Sequence, residues 1–198
     1  MNTSHSTSKD IIPDKSWTLF LDRDGVINVE KDEDYIHHWD EFRFYDGVVD
    51  ALAELSLIFG KTIIVTNQKG VGKGVTKIEN VQTIHDNLLQ AVLAAGGKID
   101  TVFFCPDTDV DSPNRKPNPG MALQARELYP EIDFTKSLMV GNNLSDMQFG
   151  RNAGMRTAFV RTTQPGLQIP AGMADIDIAD LPALLRLFLK REPSMINN

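Results

Sequence analysis

The chain has 198 residues, 41% of them hydrophobic and 24% charged, with a formal net charge of −7. That length suits one domain with a sizeable core, and the acidic balance argues against nucleic acid as a partner, since phosphate-backbone binding needs a basic face. Cys105 is the one cysteine, which excludes an internal disulfide and a zinc site built from several thiolates.

Residues 1–15 are polar, with no apolar core of signal-peptide length, and no run approaches the ~18 apolar residues of a membrane span. A monomeric, cytoplasmic protein without a membrane partner is expected. Loose ends are expected at residues 1–15 and 191–198, around a single domain over 16–190.

The first strand is predicted over Trp17–Leu21, and it runs into Asp22-Arg23-Asp24-Gly25-Val26. Asp-x-Asp-Gly is also ordinary turn composition. Two carboxylates one residue apart at a strand end nevertheless suit phosphoryl chemistry, one attacking phosphorus and the other moving a proton. Magnesium would shield an anionic nucleophile from an anionic substrate. A helix is predicted over Gly47–Phe59, then a second strand over Thr62–Thr66. Thr66-Asn67-Gln68-Lys69-Gly70 follows, where a hydroxyl, an amide and free backbone N–H groups suit a phosphoryl group. Gly70-Val71-Gly72-Lys73-Gly74 fails the phosphate-loop pattern, because its glycines are too close and no Ser or Thr follows Lys73. It reads as a flexible loop.

The next helix, over Lys77–Ala95, repeats Ile78, Val81, Ile84, Leu88, Leu89 and Val92 at helical spacing, a buried stripe. His85 reads as solvent-facing or core filler on that helix, and His37 and His38 as flanking an open site. A third strand over Thr101–Phe104 leads through Cys105-Pro106-Asp107 to Arg115-Lys116-Pro117-Asn118-Pro119. Cations held at a proline-marked helix entrance suit phosphate pairing. After the helix Pro119–Tyr129 and the strand Ser137–Val140 comes Gly141-Asn142-Asn143-Leu144-Ser145-Asp146, opening a helix over 145–150. Cap and turn chemistry explains much of that string, and Asp146 on the first turn suits a metal. A strand over Thr157–Val160 and a helix over Leu181–Lys190 complete the pattern. Alternating strands and helices predict an α/β, Rossmann-like parallel sheet with helices on both faces and its ligand at the carboxyl ends of the strands.

Over residues 17 to 190 the chain resembles the haloacid dehalogenase superfamily, whose four motifs stand here in order. Asp22-Arg23-Asp24-Gly25, Thr66-Asn67, Arg115-Lys116-Pro117 and Gly141 to Asp146 carry the resemblance. The longer strings Phe20–Asn28, Val65–Gln68, Arg115–Met121 and Leu144–Gln148 are similar to a branch without a large cap domain that acts on heptose bisphosphate or histidinol phosphate. The resemblance implies a magnesium-dependent phosphatase for a small phosphorylated metabolite. Asp22 would be the nucleophile, Asp24 the general acid and base, and Lys116 the neutralising cation. Thr66, Asn67, Gln68, Arg115, Lys116 and Asn143 would contact substrate. Asp22, Asp24 (through its carbonyl), Asn142 and Asp146 would form the metal site.

Two departures accompany the resemblance. The zinc loop usual before motif three retains only Cys105, so no structural zinc is expected, and residues 107–114 must hold by turn chemistry. Motif four reads Gly141-Asn142-Asn143 where the family has Gly-Asp-Lys. Two readings of that change stand: an active enzyme that needs more magnesium, or a relative that binds a phosphorylated ligand without turning it over. D-glycero-D-manno-heptose 1,7-bisphosphate is the expected substrate, and histidinol phosphate the alternative.

Overall fold

Strand β1, Thr18–Leu21, is buried on both faces, because its side chains alternate between two separate cores. Leu19 and Leu21 point into one and Phe20 into the other. The same alternation runs through β2 (Lys61–Asn67), where Ile64 opposes Ile63 and Val65, and through β4 (Ser137–Gly141), where Leu138 and Val140 oppose Met139. With β3 (Thr101–Cys105), β5 (Arg156–Val160) and β6 (Ile176–Ile178) they form a six-stranded sheet of order β3-β2-β1-β4-β5-β6. Every pairing is parallel. The computed structural model describes residues 11–190.

Helices α1 (Val48–Ile58), α3 (Ile78–Ala94) and α6 (Leu181–Leu189) cover one face of the sheet. Helices α4 (Gly120–Leu128) and α5 (Leu144–Ala153) cover the other. On α3 the buried residues Val81, Ile84, His85, Leu88 and Val92 form one stripe, as the periodicity requires. Ile78, expected in that stripe, is the first residue of the helix and is 41% exposed. Among the described residues no helix is long and apolar enough to cross a membrane.

The five predicted strands and five main helices are present, with ends that differ by no more than three residues. Strand β6 was not expected. Its three residues are too few for a periodicity signal, and it forms because Arg161 N–H and Asp175 N–H tie its ends to β5. The Gly70–Gly74 segment, read as flexible, begins within the single turn α2 (Lys69–Gly72) and buries Gly70 against Tyr35 and Thr76. Residues 191–198 and 1–10 of the segments read as loose ends lie outside the described residues. Within 11–15 the chain is anchored: Ile11 is buried in the core, and Lys15 Nζ donates to the carbonyls of Ser56 and Phe59.

Candidate active site

The segments after four adjacent strands, β3, β2, β1 and β4, deliver the polar groups, and the strand order reverses between β1 and β4. Asp22 continues the ladder by one residue, its N–H donating to Val140 O at 2.9 Å. The polypeptide then turns sharply, with the Arg23 carbonyl accepting from Val26, Ile27 and Asn28 N–H. Gly25 sits at φ 79° in that turn, and a Cβ there would lie 2.1 Å from Asn142 Nδ2, so motif four is packed directly on motif one.

Lys116 stands at the centre. Its ammonium donates to Asp22 Oδ1 at 2.9 Å, Asp146 Oδ1 at 2.7 Å and the Val65 carbonyl at 2.9 Å, which uses all three of its hydrogens. Its backbone is clamped by Asn67, whose Oδ1 accepts from Lys116 N–H at 3.0 Å while Nδ2 donates to Lys116 O at 3.2 Å. Asn67, expected on the phosphoryl group, borders the cavity, and both ends of its amide also position the lysine. Asp146, expected at the metal, likewise has Oδ1 on Lys116 and Oδ2 on the Asn143 N–H at 3.0 Å. It serves the lysine and the start of α5.

Asp24 is held from four sides. Arg23 donates to it through Nε and Nη2, Asn28 Nδ2 at 3.0 Å, and Gln68 Nε2 at 2.8 Å. Gln68, expected to contact substrate, borders the cavity, and besides holding Asp24 it donates to Thr66 Oγ1 and accepts from Arg23. A cavity of about 520 Å³ opens over this cluster. Asp22, Asp24, Thr66 and Lys116 line its floor, and Asn67, Gln68, Arg115, Asn143 and Asp146 also border it. Asn142 lies behind, fully buried.

The two carboxylates of motif one are driven in opposite directions. Burial, reinforced by the Asp146 charge and opposed by Lys116, pushes Asp22 up to about 7. Burial would raise Asp24 too, but the Arg23 charge and the hydrogen bonds from Asn28, Arg23 and Gln68 hold it below the usual carboxylate range. Lys116 stays charged: burial opposes its proton, and Asp146 and Asp22 together outweigh that. Environments that separate two neighbouring carboxyl groups in this way mark acid–base sites.

A family model described as HAD-hydrolase-like matches residues 113–166. The chain is 36% identical over 180 residues to the D-glycero-beta-D-manno-heptose-1,7-bisphosphate 7-phosphatase of Escherichia coli (strain K12), covering 85% of this chain and 93% of that protein. The chain belongs to the haloacid dehalogenase superfamily. Within that superfamily it is also 34% identical over 166 residues to the D-glycero-alpha-D-manno-heptose-1,7-bisphosphate 7-phosphatase of Mycobacterium bovis, covering 83% of this chain and 87% of that one. The crystal structure of D,D-heptose 1,7-bisphosphate phosphatase from B. bronchiseptica, complexed with magnesium and phosphate, matches with a TM-score of 0.79 at 30% identity. That match covers 88% of this chain and 98% of the other.

Against the superfamily pattern, residues 107–114 hold themselves without thiolates. Ser112 Oγ donates to Asp107, Arg115 Nη1 to Asp107 O, and Asn118 Nδ2 to the carbonyls of Val110 and Ser112. Asn142 Nδ2 donates to Glu30 Oε2 at 3.1 Å and to Thr163 Oγ1 at 2.8 Å. Because a carboxylate only accepts, the amide nitrogen must face Glu30. That leaves Asn142 Oδ1 buried without a partner.

Sequence reasoning missed Arg23, Asn28, Glu30 and His85, all of which touch the cluster. His85, read as filler or solvent-facing, is buried and accepts from Arg23 Nη1 at Nε2, 3.0 Å away. Burial and the Arg23 charge lower its pKa from 6.5 to about 3. Between those values the unfolded chain binds a proton that the folded chain refuses, so stability rises with pH across that window, by up to ~1.4 kcal/mol per unit. His85→Gln should flatten this slope. Urea midpoints measured from pH 4.5 to 6.5 should change with a less positive slope in the variant than in the natural protein, the opposing contribution of Asp22 being common to both, and identical slopes would contradict the assignment.

Proposed function

We propose that this protein is a magnesium-dependent phosphomonoesterase that passes the phosphoryl group of a sugar bisphosphate to Asp22 and then to water. The observation that carries the reading is the buried Asp22–Lys116–Asp146 triad at the strand ends, with Asp24 beside it and a cavity above. In the first half-reaction an Asp22 oxygen attacks phosphorus, the bond to the leaving oxygen breaks, and Asp24 supplies that oxygen with a proton. In the second, Asp24 takes a proton from water as the water attacks phosphorus, which releases phosphate and restores Asp22. As found, Asp24 is ionised, the form needed for the second half. An arriving phosphate dianion raises its affinity for the proton needed in the first. Lys116 neutralises charge on Asp22 and on the transferring group.

The residues fit a divalent cation. Among the described residues the buried Asp22 and Asp146, the partly buried Asp24 and the exposed Glu30 have two cation partners between them, Arg23 and Lys116, a surplus of two carboxylates. The orphaned Asn142 carbonyl is a hard oxygen donor without a partner. Asp22, the Asp24 carbonyl and Asn142 Oδ1 would hold magnesium, which when bound screens substrate charge from the nucleophile. The magnesium in the B. bronchiseptica structure supports this reading. Asn142→Asp should bind magnesium more tightly by calorimetry, and should melt lower without it, because a second carboxylate then opposes Glu30. Unchanged magnesium affinity would remove Asn142 from the site. Structural zinc has no part in this reading, and a cytoplasmic setting suits the free, buried Cys105.

Two cations at the cavity, Lys69 and Arg115, pair with no carboxylate among the described residues, whereas Lys31 and Lys116 do. They favour a substrate with a second anionic group. D-glycero-D-manno-heptose 1,7-bisphosphate, the substrate named for the E. coli and M. bovis relatives, has one. Histidinol phosphate carries an ammonium instead. Phosphate release from both heptose bisphosphate anomers and from histidinol phosphate should favour a bisphosphate by about tenfold to a hundredfold in kcat/KM, the worth of one charge-assisted contact. Preference for histidinol phosphate would reverse the assignment.

A further inference from the structure

Arg23 lies between the two carboxylates of motif one in sequence, yet among the described residues its side chain is the largest of those that are fully buried. A buried guanidinium needs acceptors for its N–H groups and an anion for its charge. Nε and Nη2 turn back onto the next residue, Asp24, at 3.2 Å and 2.9 Å. That contact is local and cannot by itself fix where the pair sits. The fixed points come from elsewhere in the fold: Gln68 Oε1 accepts from Nη2 at 3.1 Å, and His85 Nε2 lies 3.0 Å from Nη1.

His85 is placed for this by the stripe that buries α3, with its ring packed edge-on against Phe104 of β3, centroids 5.6 Å apart. A guanidinium is only a donor, so Nε2 must be the unprotonated nitrogen and the imidazole neutral with its hydrogen on Nδ1. A protonated ring there would set two cations in contact. The imidazole therefore works as a fixed acceptor, and the path runs from α3 through Arg23 to the Asp24 carboxylate.

We propose that His85 is a positioning residue for Asp24, acting through Arg23; the proposal rests on the phosphatase reading above for the role of Asp24. His85 holds the guanidinium fork in the plane that fixes the Asp24 carboxylate over the cavity floor. Removing the acceptor frees Arg23 to rotate and lets Asp24 drift from the oxygen it must protonate, which lowers kcat and leaves substrate binding to Lys69, Arg115 and Thr66.

Two measurements test this. Nitrogen-15 NMR of the natural protein at pH 6 should show His85 neutral with its proton on Nδ1, and a proton on Nε2 would overturn the proposal. This readout needs no turnover, so a protein inactive on every substrate would sink the phosphatase reading while the tautomer still decides the role of His85. Kinetically, His85→Leu should lower kcat by about tenfold to a hundredfold, part of the ~10²–10⁴-fold that acid–base help supplies, with KM within about twofold. His85→Gln, whose amide oxygen can accept from Nη1, should recover most of that loss. Equal losses in the two variants, or no loss in His85→Leu, would overturn it.

Discussion

Asp22→Asn should lower turnover on the order of 10⁴-fold or more, the scale seen when a covalent nucleophile is removed, while the protein stays folded. The amide keeps the shape and an oxygen that can accept from Lys116 and from Arg23 N–H, the partners of Asp22 Oδ1 at 2.9 Å and 2.8 Å. The folded protein holds the Asp22 proton up to about 7, against 3.8 for the unperturbed group. Between those values the folded state binds more protons than the unfolded one, so ionising Asp22 lowers stability as pH rises through that window. Without magnesium at pH 8, Asp22→Asn should therefore melt no lower than the natural protein. Activity and stability moving in opposite directions are expected where a carboxylate is buried for chemistry. Steady-state assay and calorimetry on one preparation check both halves, and retained turnover would end the Asp22 mechanism.

Lys116→Met should be the most destabilising single change in the site. The ammonium is 2% exposed and joins two carboxylates of 11% and 1% side-chain exposure, so its loss leaves two buried anions with no cation between them. Breaking a buried pair in this way costs about 3–5 kcal/mol. For a chain of this size that is a fall of roughly 10 °C in thermal midpoint. The deficit should narrow at pH 5, where Asp22 is protonated in the folded state and less charge is left bare. Turnover should fall as well, by about 10²–10³-fold, as when one preorganised donor to a developing charge is removed. A calorimetric comparison at pH 5 and pH 8 that finds less than about 1 kcal/mol at both would show that the triad is not an electrostatic unit.

The sequence made the fold legible because its apolar runs are short, alternate with helical stripes and end in polar residues. Those are the properties of a parallel sheet buried on both faces. The positions of Asp22, Asp24, Thr66, Lys116 and Asp146 were legible for the same reason: strand ends in such a sheet converge. Which atom each side chain meets was not legible. Asn67 and Gln68 stand beside Thr66 and were read with it as phosphoryl contacts. Pairing across 49 residues sends Asn67 to the Lys116 backbone, and pairing across 44 residues sends Gln68 to Asp24. Arg23 and His85 lie 62 residues apart, and neither has local spacing that signals the other. Glu30 gains its place only because the turn after β1 folds back toward motif four, where it meets Asn142 across 112 residues. Motif strings mark where chemistry is, and long-range pairing decides which residue performs it.

Asp22 is expected to carry the phosphoryl group between the two half-reactions. Beryllium fluoride with magnesium forms a tetrahedral mimic of a phosphorylated carboxylate, and its position can be read from a crystal structure of the treated protein. One beryllofluoride group should be bonded to an Asp22 carboxylate oxygen, with Lys116 in contact, and none should be present in Asp22→Asn treated alike. A beryllofluoride on another side chain, or a bare Asp22 in crystals that turn over substrate, would contradict it.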